Sequence, residues 1–136
     1  MKPTHEELAT LRKGLRKRKV PHVFDGMWQS WPGIGGVMFR ADGDDFNVEW
    51  VLWVNGKKTP SQFVSFKALC TEPEKDLVRL EIGWLMHDMI RAQGQQIMDS
   101  IGGPNESWRE AKPYFNAADQ WKHWALVAAG RMIFSA

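Results

Sequence analysis

From Phe46 to Val54 the chain reads FNVEWVLWV, and Phe46, Val48, Trp50, Leu52 and Val54 fall on every second position. In a strand that spacing puts all five on one face, leaving Asn47, Glu49, Val51 and Trp53 on the other. β-Branched and aromatic residues dominate the stretch, so propensity agrees with pattern. It is read as the middle strand of a small antiparallel sheet. Val37 to Ala41 forms a shorter strand before it, and Asp42-Gly43 is a hairpin signal between the two. After Val54, N-G-K-K-T-P is a turn, and Gln62 to Leu69 alternates again as a third strand. The middle third is thus expected to be a three-stranded meander.

Helical spacing governs both ends. Thr4 and Glu7 have capping-box spacing, and Leu8, Leu11 and Leu15 share one side of a helix that Pro21 ends. Residues 1–20 are read as a basic docked helix or a frayed arm. His22 to Gly36 is rich in Pro, Gly and Trp and reads as a non-helical connection, with one turn of helix near Asp25 to Gln29. Thr71-Glu-Pro-Glu74 is a second capping pattern, opening a helix that runs to about Ile101. Along it Val78, Ile82, Leu85 and Met89 form one stripe and Leu77, Leu80 and Trp84 another, so this helix is expected to be the most buried. Gly94 is a kink candidate, and Gly102-Gly103-Pro104 stops the helix. A short helix near Ser107 to Glu110 is interrupted by Pro113. A last helix, Asn116 to Arg131, presents Trp121, Trp124, Ala125 and Ala128 on one face.

The fold class expected is α+β: an N-terminal basic helix, a three-stranded antiparallel β-meander, then a long helix and C-terminal helices packed on one sheet face. The 136 residues suit a single domain, 1–136, with an arm (1–20), a meander (33–69) and a helical part (71–136). The expected core is Val37, Phe39, Val48, Trp50, Leu52, Val78, Ile82, Leu85, Met89, Trp124 and Ala128.

Composition changes this picture in two places. There are eight tryptophans against one tyrosine. A buried indole N–H needs a partner, so a core this small cannot hold all eight, and some are expected at the surface, where Trp anchors binding sites. The net charge of +2 is also unevenly spread. Residues 1–19 hold seven of the 18 basic residues and two of the 16 acidic ones, a local +5, which leaves the remainder at −3. With one cysteine, Cys70, no intrachain disulfide is possible. The chain lacks an apolar signal segment and any run near the ~20 residues of a membrane span, so a soluble, cytoplasmic protein is expected.

Few chemistries have the residues they need. His5, His22, His87 and His123 are scattered, and Cys70 has no CxxC partner, so no metal site is expected. Asp42, Asp44 and Asp45 lack the twelve-residue frame of an EF-hand and read as an acidic turn. G-I-G-G at Gly33 to Gly36 matches neither the P-loop nor the dinucleotide pattern and reads as a flexible entry to the sheet. Cys70 sits just before the helix expected to begin at Thr71, where a helix N-terminus lowers a thiol pKa, but buried structural cysteine is preferred. His87 and Asp88, adjacent on a helix, are expected to point apart. No cofactor and no catalytic group is expected.

What stands out is charge and tryptophan. Arg12, Lys13, Arg16, Lys17, Arg18 and Lys19 would attract phosphates, with Lys57 and Lys58 beside Trp53 as a second contact. The expected function is therefore a non-catalytic binding protein, a small regulator or inhibitor of the kind carried by phages and mobile elements, contacting nucleic acid or a nucleoprotein. The alternative is a protein partner or self-association through exposed Trp28, Trp31 and Trp53. An uncharacterised small enzyme ranks third.

Overall fold

The computed structural model describes residues 28–42, 45–100 and 104–134. The arm at 1–20, with its six clustered cations, lies outside the described residues.

The fold is α+β, built on an antiparallel sheet. Five strands contribute: β1 (Trp28–Trp31), β2 (Gly35–Asp42), β3 (Asp45–Val54), β4 (Lys57–Lys58) and β5 (Gln62–Ser65). They are followed by a short helix α1 (Phe66–Thr71), a 3-10 turn (Pro73–Lys75) and two long helices, α2 (Asp76–Ser100) and α3 (Pro104–Phe134). As expected, β3 is the central strand: it pairs with β2 from Asp45 to Leu52, with β5 from Asn47 to Trp50 and with β4 at Trp53 and Val54.

Local chemistry explains the connections. Asn55 and Gly56 both have positive φ, 53° and 78°, the type I′ geometry that matches strand twist, and Asn-Gly is the dipeptide that tolerates it best. The Lys57-Lys58 pair is therefore not turn but the return strand, facing Val54 and Trp53. Between β1 and β2 the chain turns through Pro32 and Gly33, closed by the Ile34 N–H on the Trp31 carbonyl at 3.1 Å. Gly35 and Gly36, expected as a flexible entry, lie within β2. A Cβ on Gly35 would sit 2.7 Å from Leu85 Cδ1, so this glycine lets α2 approach the strand.

The sheet has five strands where a three-stranded meander was expected, and five further expectations need correction. The connection before Gly33 contains an edge strand, β1, where a helical turn was expected; Trp28 to Trp31 pairs in register with Met38 to Gly35. The third strand stops at Ser65, whose Oγ accepts the Ala68 N–H at 3.0 Å and caps α1. Cys70 consequently falls in the last turn of α1 and not at a helix N-terminus. The long helix begins at Asp76, because Thr71 closes α1 and the proline turn intervenes. Finally, α3 is one helix from Pro104 onward, passing through Pro113, which forgoes one backbone hydrogen bond without ending it.

The helices cover one face of the sheet. Val37 and Phe39 of β2, Phe46, Val48 and Trp50 of β3 and Val64 of β5 are buried against Ile82, Leu85, Met86, Met89 and Ile90 of α2 and Ala117 and Ala118 of α3. Of the expected core, Leu52, Val78 and Trp124 are only partly buried, and the second stripe of α2 is not core at all: Leu77 is 66 % exposed. α2 and α3 pack closely because glycine and alanine meet there. A Cβ on Gly83 would lie 2.7 Å from the Ala125 Cβ and 3.0 Å from the Trp121 carbonyl, and one on Gly94 would lie 3.2 Å from the Tyr114 Cβ. Gly94 thus serves contact, and the helix continues through it.

One buried charge cluster ties the helical layer together. Arg79, 3 % exposed, donates to the carbonyls of Leu69 and Glu72 and through Nε to Asp76 Oδ1 at 2.9 Å. Arg131, near the end of α3, donates to the same carboxylate oxygen at 3.0 Å. Burial pushes the Asp76 carboxyl up, but hydrogen bonds from Arg79 and Arg131, and their charges, outweigh it and hold the group below its ordinary value.

A candidate binding face on the open side of the sheet

Because successive side chains alternate, the face of β2 and β3 turned away from the helices carries the even-numbered residues of β2 and the odd-numbered residues of β3. The register then fixes who stands beside whom. Trp28 pairs with Met38, Met38 with Glu49 and Glu49 with Phe63, so these four form one row across β1, β2, β3 and β5. The next row is Arg40, Asn47 and Ser65. Met38, Arg40, Asn47, Glu49 and Phe63 line a shallow depression of about 330 Å³.

The row is apolar for an open face. Phe63 is 69 % exposed and Trp28 40 % exposed. Trp28 is held in place from below: a Cβ on Gly36 would be 3.0 Å from the indole Nε1 and Cζ2, so the ring lies over the glycine. The polar members are loosely engaged. Asn47 Nδ2 donates to Asp42 Oδ2 at 3.3 Å, and Arg40 Nη2 lies 3.9 Å from the Met38 sulfur, a weak acceptor. Among the described residues neither Arg40 nor Glu49 has an ion-pair partner.

Of the residues singled out from sequence, Trp28 and Trp53 fall on this face by register, whereas Trp31 points to the helical side and is partly buried against the core. Lys57 and Lys58 are exposed on β4, and the Lys58 ammonium stands 5.5 Å from the centre of the Trp53 ring. The arm's cations, Arg12 to Lys19, lie outside the described residues. Met38, Arg40, Glu49 and Phe63 were missed by sequence reasoning. Alternation alone puts each opposite a core residue, but only the strand register brings them into one patch.

A second groove, of about 300 Å³, runs along the free edge of α2 between Gln62, Leu77, Leu80, Glu81 and Trp84. Its floor is structural: Glu81 Oε2 accepts the Trp50 indole N–H at 2.8 Å. Nearby, His87 Nδ1 and Asp88 Oδ1 are 2.8 Å apart, which corrects the expectation that they diverge. The Trp84 ring sits edge-on to that imidazole at 5.2 Å. Among the described residues no three His, Cys, Asp or Glu side chains are grouped to hold a metal ion, and no helix is long and apolar enough to cross a membrane.

Compared with family models, with curated proteins and with solved structures, the chain matches none.

Proposed function

We propose that the chain is a non-catalytic binding protein that holds a protein partner against the open face of its sheet. The observation that carries this reading is the cross-strand row Trp28–Met38–Glu49–Phe63, which spans four strands and puts three large apolar side chains, Trp28 and Phe63 exposed and Met38 half-buried, where alternation would place polar ones. Aromatic residues and Met with an adjacent Arg are the composition of interface centres. The charges on this face, Arg40 against Glu49, nearly cancel, which suits a protein surface better than a polyanion.

The test is capture of a partner from extract by wild-type protein and by Trp28→Ala, Met38→Glu and Phe63→Ala variants, with circular dichroism as the folding control. These side chains are exposed or half-buried, so the fold should survive while capture is lost. Capture unaffected by all three variants would end the reading.

A second reading is favoured by one contact, the Lys58 ammonium over the Trp53 ring. With the basic cluster at residues 12–19, it would give a stacking platform beside a phosphate-binding arm, for nucleic acid or a nucleoprotein. Its test is binding to labelled single- and double-stranded DNA and RNA at low and physiological salt, with and without residues 1–20. Steep salt dependence that disappears on truncation is expected; a flat curve refutes it.

A further inference from the structure

The same face has a symmetry of charge that points to its occupant. Met38, Arg40, Asn47 and Glu49 form the corners of a cross-strand quadrilateral: Met38 opposite Glu49, Arg40 opposite Asn47. Arg40 and Glu49 therefore occupy one diagonal, Met38 and Asn47 the other. Strands lie roughly 4.8 Å apart, and residues two apart along a strand are about 6.7 Å apart, so the two diagonals cross near the middle at a wide angle.

We infer that the partner on this face is a second copy of the chain, docked about a two-fold axis that runs along the Met38–Asn47 diagonal. This rests on the reading of the open face as a protein-binding surface. A two-fold axis lying in the interface exchanges whatever stands on either side of it. Arg40 of each copy then faces Glu49 of the other, giving two identical ion pairs. Met38 meets its own counterpart, thioether on thioether. Asn47 meets its own counterpart too, and a side-chain amide, which has both a donor and an acceptor, is self-complementary.

The same operation brings Phe63 of one copy over the stem of Arg40 in the other, and sets the two Trp28 rings side by side next to Met38. From those spacings the axis lies about 36° from the strands, so the two sheets cross at about 72°, nearer the orthogonal than the aligned arrangement in which sheets pack. Neither Arg40 nor Glu49 has an ion-pair partner among the described residues of its own chain, so both are available. A face of four strands covers roughly 20 by 20 Å, at the small end for a specific interface. Association in the micromolar range is expected.

The experiment is sedimentation velocity on the full chain from about 1 to several hundred micromolar, a range set by the expected interface size. Wild type should move from monomer to dimer. R40E and E49R each place like charges at both symmetry-related contacts, and each should weaken the dimer by roughly 30-fold or more. Mixing R40E with E49R restores opposite charges at both contacts, so the mixture should dimerise where neither variant does alone. The double variant R40E/E49R should recover the dimer by itself. A wild type that stays monomeric throughout, or a dimer indifferent to these substitutions, overturns the inference. If wild type is monomeric but Phe63→Ala still abolishes capture of a partner from extract, the binding face stands and self-association falls.

Discussion

Removing the Asp76 charge tests the account of how the helical layer is locked. Asp76 is 7 % exposed and stands between two guanidinium groups. Asp76→Asn preserves shape and keeps an acceptor for Arg79, but it leaves that buried cation with carbonyl oxygens and no counter-charge. Removing one partner from a buried ion pair costs about 3–5 kcal/mol, because the surviving charge cannot return to water. Against a total stability of roughly 5–15 kcal/mol, that is a large share. With a urea m-value near 2 kcal/mol/M, the midpoint should fall by about 2 M. The contribution of Arg131 should be smaller: its side chain is about half exposed, so its coupling to Asp76 in a double-mutant cycle should not exceed about 1 kcal/mol. The pH dependence separates charge from shape. The folded state holds the Asp76 carboxyl below its ordinary value of 3.8, so its contribution is complete above that pH and is lost as the pH falls from 3.8 through the lower folded value. The stability curves of wild type and variant, well apart at neutral pH, should converge on acidification. A loss under about 1 kcal/mol at pH 7, or curves that stay parallel into acid, would refute the buried-lock account.

Two further perturbations probe the packing. Gly83→Ala gains about 1 kcal/mol in helix propensity, yet its methyl group would meet Ala125 at 2.7 Å; a net loss of about 1–2 kcal/mol in urea unfolding is expected, since overpacking outweighs propensity. Glu81→Ala leaves the buried Trp50 indole N–H without its acceptor and should cost about 1–3 kcal/mol, whereas Glu81→Gln, which keeps an acceptor oxygen, should cost less than 1 kcal/mol; equal losses would mean that the hydrogen bond is not what matters.

The sheet was legible where a residue's neighbours in sequence decide its environment. The period of two in β3, with Val37 and Phe39 beside it, locates both central strands and most of the sheet's side of the core. Where two local signals compete, the reading goes wrong. Gln62 to Leu69 alternates well enough for a strand, yet Ser65 is also an N-cap three residues before the Ala68 N–H, and the cap takes Phe66 onward into helix. Trp28 to Trp31 lies in a run of Pro, Gly and Trp with no periodicity of its own; it becomes a strand only because β2 offers it an edge. Pro113 would stop a solitary helix, but with Ala111, Ala117 and Ala118 buried, burial sustains it. The buried lock was invisible for a different reason. Asp76, Arg79 and Arg131 carry no sequence signal that marks them as buried, and nothing short of the helix pairing brings Arg131 to Asp76. The candidate face falls between these cases. Its residues were readable as the outward positions of strands, but their grouping depends on register across strands that are distant in sequence.

The distribution of apolar side chains on the open face argues against its being half of an ordinary core. A sheet awaiting a second covering layer would be apolar along the length of its strands, since each row would be buried in turn. Here the exposed large apolar groups Trp28 and Phe63 stand in one row, Val51 is buried opposite Gly36 in the row beside it, Trp53 stands apart at the hairpin end, and the row of Arg40, Asn47 and Ser65 on the other side is polar. That arrangement is a patch with a polar border, able to stay in water alone and to lose water when a complementary surface arrives. Gly36 strengthens the point. A Cβ there would press on the Trp28 ring from beneath, so the glycine lets the indole come close over the sheet, next to the row it heads. A side chain that served only to fill the edge of the core would have been placed on the other face, where Trp31, three residues on, already packs.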